Sequence, residues 1–112
     1  MMKKVRVGII GTSWWVDAMY LPSLAGTTKA IVTACCGRNW ERARKLAGIW
    51  NIPKVYTDWQ TMLDEEPLDA LIISTPNDTH CPITLAALEK GLHVLCEKPL
   101  ALNYTEARKM AE

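Results

Sequence analysis

A glutamate and a lysine, Glu97 and Lys98, stand directly after an apolar run and directly before a proline. An ammonium group in such a place can polarise a substrate oxygen, and the adjacent carboxylate can hold that ammonium or a sugar hydroxyl. On an open surface the same pair would be an ion pair of little energetic consequence. Because the apolar run predicts a buried strand, charges at its end favour a ligand crevice.

The stretch GIIGTSWWV, from Gly8 to Val16, contains a partial glycine-rich phosphate loop. Gly11 can make the tight turn after a strand, and N–H groups at the start of the following helix can bind an anion. Ser13 and Val16 stand where a dinucleotide fingerprint has its second and third glycines, so an ordinary strand-to-helix turn is the alternative. The candidate cofactor-binding residues here are Gly8, Gly11, Thr12, Ser13 and Trp14.

Arg38, in the stretch CGRN, follows a second apolar run. NAD sites place Asp or Glu near this point to accept from the ribose 2′-hydroxyl, and sites for S-adenosylmethionine also favour an acid there. This sequence instead offers Arg38, with Arg42 one turn further on, and a guanidinium suits the 2′-phosphate of NADP. The alternative is a solvated arginine, which is slightly unfavourable at a helix start.

The stretch STPNDTH, Ser74 to His80, follows the clearest apolar run. Its proline-bearing loop can lie under a nicotinamide ribose, although from chemistry alone an ordinary strand-to-helix turn is the favoured interpretation. Asp78 is a plausible cap of the next helix. The candidate cofactor-binding residues are Thr75, Pro76, Asn77 and His80, together with Glu97 and Lys98 from the later motif.

Strands that alternate with helices must position these motifs. We predict strands at Val5–Ile10, Ala30–Cys36, Lys54–Tyr56, Asp69–Thr75 and Leu92–Glu97. We predict helices over about Trp15–Ala25, Trp40–Trp50, from Thr57 onward, over Thr79–Lys90 and from Asn103 onward. This alternation predicts right-handed βαβ units and an α/β fold with a doubly wound parallel sheet, the Rossmann type.

Several polar residues and glycines are predicted to bound the helices. Asn39 is a plausible N-cap, and Thr57 with Gln60 and Asn103 with Glu106 have capping-box spacing. Gly26 and Gly91 are predicted to end two helices. The sequence stops inside its last helical pattern, before the sixth strand of a Rossmann sheet. We therefore expect residues 1–112 to be the dinucleotide-binding, N-terminal part of a longer protein.

The composition is that of a globular protein. Among 112 residues 49% are hydrophobic and the net charge is +1, which gives no electrostatic footprint for nucleic acid. No apolar run reaches membrane-spanning length, and no secretory signal is evident, so we expect a cytoplasmic protein. Cys35, Cys36, Cys81 and Cys96 are interpreted as reduced thiols; with His80 and His93 they match no zinc pattern.

Five motifs occur in order and with matching spacing: VGIIGT, CGRN, STPNDTH, GLHVLCEKPLA and EARKMAE. Together they resemble the N-terminal domain of the glucose–fructose oxidoreductase, inositol dehydrogenase and rhizopine-catabolism (Gfo/Idh/MocA) family. The resemblance covers essentially the whole chain. The tripeptide Glu97-Lys98-Pro99 is its most specific element, the TPN-x-x-H element is next, and the glycine loop is the least specific.

The resemblance implies a Rossmann domain of an NAD- or NADP-dependent dehydrogenase that oxidises sugars, cyclitols or related polyols. It implies that Lys98 is catalytic, contacting the cofactor and the substrate hydroxyl, and that the Lys98–Pro99 bond is cis. It also implies a second, β-rich domain that supplies the substrate pocket and an aspartate–histidine pair, and pairing of copies into a homo-oligomer. Ser13 stands where the family usually has its second glycine, a departure that bears on the affinity for the cofactor and not on the cofactor class.

These observations predict a domain that binds NADP or NAD, with NADP favoured by Arg38, and that does not turn over substrate by itself. The alternative from another class is a non-catalytic NAD(P)-binding sensor or scaffold of the same fold. A methyltransferase-like domain that binds S-adenosylmethionine is a third hypothesis, and Arg38 counts against it.

Overall fold

Five parallel strands form one sheet in the order β3-β2-β1-β4-β5. The computed structural model describes residues 3–98 and 101–112, and only the backbone of Asn77. The predicted cis bond between Lys98 and Pro99 therefore lies outside the described residues. The strands are β1 Val5–Ile10, β2 Ala30–Cys36, β3 Lys54–Tyr56, β4 Ala70–Ile73 and β5 His93–Cys96.

The bounds of β1, β2 and β3 are those predicted, whereas β4 and β5 are shorter at both ends. Residues just beyond their ends still bond to neighbouring strands: Ser74 N donates to Ile10 O at 2.9 Å, and Glu97 N donates to Ile73 O at 2.9 Å. The chain turns into loops immediately afterwards. The apolar pattern therefore located both strands but included loop residues that carry the candidate site.

In the part of the chain that the structure describes, five helices connect and flank the strands. They are α1 at residues 14–25, α2 Trp40–Trp50, α3 Trp59–Glu65, α4 His80–Glu89 and α5 Tyr104–Ala111. The middle of α1, Val16–Tyr20, is π-helical, and a 3₁₀ turn, Asn77–Thr79, leads into α4. Among the residues that the structure describes, no helix has the length and apolarity needed to cross a bilayer.

Two predicted N-caps are confirmed, and so are both predicted helix stops, since Gly26 directly follows the last residue of α1. Asn39 Oδ1 accepts from Arg42 N at 3.1 Å, and Asn103 Oδ1 accepts from Glu106 N at 3.0 Å. Gly91, after α4, has a φ of +77°, which favours glycine. Asn51, not foreseen, ends α2 in the left-handed conformation with a φ of +57°.

Two cap predictions and one detail of a helix end are wrong. Asp58 rather than Thr57 caps α3, because its carboxylate accepts from Gln60 N at 3.2 Å. Asp78 does not cap α4, because it lies inside the 3₁₀ turn, which places Thr79 at the N-cap without a side-chain bond. Gly26 follows α1, but with a φ of −81° it does not adopt the left-handed geometry of a C′ glycine.

Helices cover both faces of the sheet. One apolar cluster joins the sheet to α1 and α2 through Val16, Leu21 and Leu46, and the other joins it to α3 and α4 through Met62 and Ile83. Adjacent side chains of a strand point to opposite faces, and accordingly Cys35 and Cys36 fall in different clusters. The doubly wound Rossmann architecture is confirmed.

Candidate functional site

The carboxyl ends of β1, β2 and β4 border a cavity of about 420 Å³, within the usual range for ligand pockets. β1 leads into α1 on one face of the sheet and β4 leads into α4 on the other. The cavity therefore lies at the switch point of the sheet, where open parallel folds bind their ligands. Its walls come from the ends of these three strands and the loops after them, from Thr57, and from the helices through Arg42, Trp59 and Ile83.

Gly11 lets the loops after β1 and β4 approach closely. Its φ is +117°, and a Cβ atom built on it would lie 2.0 Å from the backbone oxygen of Ser74. Gly11 N donates to Cys36 O at 2.8 Å, which also ties this loop to the end of β2. Thr12 and Ser13 follow at the cavity wall, just before α1 begins. The residues just before α1 thus border the cavity, and the N–H groups at a helix N-terminus can hold an anion.

Arg38 and Arg42 both line the cavity from the β2 side. Gly37 brings this loop close to the β1 loop, since a Cβ on Gly37 would lie 2.6 Å from Cγ2 of Thr12. None of the described lining residues is Asp or Glu. The cavity therefore presents guanidinium groups where sites for NAD or S-adenosylmethionine carry a carboxylate, and a phosphate group suits it better.

The loop after β4 is held in place by its own side chains. Thr79 Oγ1 donates to Pro76 O at 2.6 Å and lies 2.5 Å from Thr75 Oγ1, and His80 Nε2 lies 2.9 Å from Thr75 O. Thr75, Pro76 and Thr79 line the cavity, whereas His80 is 1% exposed and does not. Buried His80 contacts the backbone of this loop from the protein interior. Its position therefore gives no support to the predicted contact with a cofactor. The side chain of Asn77 lies outside the described residues.

Glu97 and Lys98 lie at the end of β5, beyond the walls of the cavity. Glu97 is partly buried and accepts a hydrogen bond from Tyr20 Oη at 2.7 Å, and Lys98 is exposed. Burial, helped by the bond to Glu97, raises the pKa of Tyr20 to about 12. Glu97 and Lys98 thus lie at the carboxyl ends of the strands, as the loop after β1 does, but on the far side of β4 from β2.

Gly8 and Trp14, which were predicted to bind the cofactor, lie away from the cavity. Gly8 lies within β1, and a Cβ there would meet Leu68 Cδ1 at 2.7 Å, so the glycine makes room for the core. Trp14 is 72% exposed and packs at a tilt against Trp15, with ring centroids 6.1 Å apart. Neither residue lines the cavity at the switch point. Trp14 therefore does not fill the space available to a diphosphate.

Several wall residues were missed by the sequence analysis. Ser74 and Gly37 lie inside the quoted motifs STPNDTH and CGRN but were not named as candidates, and the close approaches at Gly11 and Gly37 explain why small residues stand there. Trp59 and Ile83 come from α3 and α4 on the opposite face, and no local pattern signals their presence at this site. Tyr20 was also missed, although its contact with Glu97 ties α1 to the end of β5.

The cysteines are free thiols. Cys35, Cys36 and Cys81 are buried, and Cys96 is partly buried. Burial raises the pKa of Cys35 to about 11 and that of Cys36 to about 12, so both thiols stay protonated at neutral pH. Over residues 3–98 and 101–112, no three side chains of the metal-binding types His, Cys, Asp and Glu come together.

Residues 5–112 match the oxidoreductase family with an NAD-binding Rossmann fold, Gfo/Idh/MocA. The chain is 37% identical over 106 residues to scyllo-inositol 2-dehydrogenase (NADP(+)) of Bacillus subtilis, which covers 95% of this chain and 32% of that protein. It is 33% identical over 108 residues to D-glucoside 3-dehydrogenase of Escherichia coli, covering 96% and 31%. The chain thus spans about a third of the length of these relatives.

Solved structures agree with this assignment. Myo-inositol 2-dehydrogenase from Lactobacillus plantarum superposes with a TM-score of 0.87 at 30% identity, over 97% of this chain and 32% of that one. A 3-ketoreductase from Actinomadura kijaniata, solved with NADP, superposes with a TM-score of 0.89 at 29% identity, over 97% and 34%. The resemblance identified from the motifs is confirmed.

Proposed function

The chain belongs to the Gfo/Idh/MocA oxidoreductase family and is its NAD-binding Rossmann domain, and from this premise we propose a function for the whole protein. It transfers hydride between a nicotinamide cofactor and a sugar, cyclitol or related polyol. The observation that carries the proposal is the cavity at the switch point. Gly11 lines it where the loops after β1 and β4 meet, and Arg38 lines it from the β2 side. The relatives named above include inositol and glucoside dehydrogenases, which supports this substrate class.

The residues of the cavity fit a dinucleotide. Thr12 and Ser13 stand before the first turn of α1, whose N–H groups would hold the diphosphate. Thr75 and Pro76 would lie beside the nicotinamide ribose. Lys98, beyond β4, would act as the catalytic residue that polarises the substrate oxygen. When bound, the nicotinamide ring accepts or donates the hydride, and the protein contributes position and electrostatics.

We propose NADP rather than NAD as the preferred cofactor. Arg38 and Arg42 line the cavity, and none of the described wall residues carries a carboxylate for a ribose 2′-hydroxyl. The B. subtilis relative is named for NADP(+), and the A. kijaniata structure contains NADP. The substrate pocket would lie outside these 112 residues, so we predict that this chain alone binds the cofactor but does not turn over substrate. The cytoplasmic location of the protein also stays a prediction.

Arg38→Ala tests the cofactor preference. Because Arg38 is exposed, the loss of its charge-assisted contact with a 2′-phosphate should weaken NADP binding by about tenfold, or about 1.4 kcal/mol, and leave NAD binding within about twofold. The measurement is calorimetric titration of the chain with NADP⁺, NAD⁺ and, separately, S-adenosylmethionine.

Arg44→Ala is the matched control, because Arg44 is a nearby arginine on α2, the helix that follows Arg38, and it does not line this cavity. It should change the affinity for neither dinucleotide by more than about twofold. Equal losses of NADP and NAD binding in Arg38→Ala would refute the preference for NADP. Tight binding of S-adenosylmethionine alone would refute the proposed function.

A further inference from the structure

The π-helical turn of α1 brings a tyrosine to the end of a distant strand. Single π turns inside α-helices are frequent at functional sites. Here the turn spans Val16–Tyr20 and its last residue is Tyr20. Val16 is fully buried in the core, whereas Tyr20 is only partly buried. The turn thus carries one side chain that anchors the helix and one whose polar end leaves the core.

The hydroxyl of Tyr20 makes a specific contact with the family's most specific motif. Tyr20 Oη donates to Glu97 Oε1 at 2.7 Å, across 77 positions of sequence. This distance is typical of a hydroxyl that donates to an ionised acceptor. Tyr20 therefore ties α1 to the carboxylate that precedes Lys98.

The bond from Tyr20 adds a contact from α1 to those that hold the end of β5 within the sheet. β5 pairs only with β4 in the described sheet, and the last of those backbone bonds joins Glu97 N to Ile73 O at 2.9 Å. With Oε1 held by Tyr20, the carboxylate keeps further acceptor capacity for an ammonium or a ribose hydroxyl. The raised pKa keeps the Tyr20 hydroxyl protonated, and hence a donor, throughout the neutral range.

We propose that Tyr20 is a positioning residue, whose hydroxyl fixes the Glu97 carboxylate and thereby the orientation of the Glu97–Lys98 segment toward the nicotinamide end of the cofactor. The inference rests on the proposed function, which puts the nicotinamide beside that segment. The proposed role of Tyr20 also links the end of the site near the loop after β1 with the end near Glu97 and Lys98. The helix that begins at the phosphate loop is the same helix that holds the acid next to the catalytic lysine.

Tyr20→Phe removes the hydroxyl and keeps the ring, and Tyr104→Phe is the matched control, since Tyr104 is 77% exposed on α5. The first readout needs no ligand: hydrogen exchange at the Glu97 amide, which is protected by its bond to Ile73 O. Tyr20→Phe should speed exchange about tenfold at this amide, and Tyr104→Phe should not change it. Unchanged protection in Tyr20→Phe would overturn the proposal.

The second readout separates positioning from a general structural role. Tyr20→Phe should weaken NADPH about fivefold to tenfold, but should change the affinity for 2′-phospho-ADP-ribose, which lacks the nicotinamide, by less than about twofold. Equal weakening of both ligands would mean a structural role and overturn the proposal. If the unaltered chain bound neither ligand, the proposed function would fail, and the exchange result would still decide whether Tyr20 holds Glu97.

Discussion

Gly11→Ala is expected to disrupt the junction of three strands on which the site depends. Gly11 has a φ of +117°, where side chains other than hydrogen are strained, and the new Cβ would lie 2.0 Å from Ser74 O. The atom in the way belongs to the backbone, so rotation of a side chain cannot relieve the overlap. The loop after β1 or the loop after β4 must move.

The size of the effect follows from the contacts at that junction. A residue held at such a φ costs about 1–3 kcal/mol. Moving either loop also weakens the bonds from Gly11 N to Cys36 O, at 2.8 Å, and from Ser74 N to Ile10 O, at 2.9 Å, each worth about 1 kcal/mol. The variant should therefore lose about 3–5 kcal/mol, a large part of the 5–15 kcal/mol by which a domain is normally stable.

Urea unfolding followed by far-ultraviolet circular dichroism measures this loss. Gly48→Ala is the control, because Gly48 lies inside α2 and a Cβ there meets no atom within 4 Å. Alanine in a helix should stabilise the chain by about 0.5–1 kcal/mol. The reasoning is refuted if Gly11→Ala unfolds at the same urea concentration as the unaltered chain.

Two further predictions concern stability alone. Hydrogen bonds from Arg6 lower the pKa of Asp69 from 3.8 to about 2, so the pair stabilises the fold above about pH 4 and this contribution is lost as the pH falls toward 2. The urea midpoint should therefore drop more between pH 4.5 and pH 2.5 in the unaltered chain than in Asp69→Asn; equal drops would contradict the assignment. Asn39→Ala should cost about 1 kcal/mol by removing the N-cap of α2, and a thermal melt that shows no loss would count against it.

Local pattern was sufficient for much of the fold. The bounds of β1, β2 and α2 follow from apolar runs and from Asn39, whose cap is a contact over three residues. The π turn at Val16–Tyr20 was not foreseen, because five residues are too few to show a period different from that of an α-helix. Thr57 and Asp58 are adjacent potential caps, and only the backbone geometry of the loop selects between them.

The site was predicted less completely because its contacts are long-range. Gly11, Thr12, Ser13, Arg38, Thr75 and Pro76 do meet in one cavity. Gly8 and His80 do not line it, since their surroundings are set by Leu68 and by the loop at Thr75, which the motifs do not reveal. The contact between Tyr20 and Glu97 spans 77 positions, and only the tertiary fold brings the two side chains together.

The central claim, that the switch-point cavity seats a nicotinamide dinucleotide, is tested most directly by nuclear magnetic resonance titration of the chain with NADPH. We expect saturable one-to-one binding, with the largest amide shift changes at Thr12, Ser13, Arg38 and Thr75, which border that cavity. A second concavity, lined by Lys4 and Asn51 among others, includes the start of β2, at the amino ends of the strands, and serves as an internal comparison. Shifts confined to that end, or no saturation at millimolar NADPH, would contradict the account.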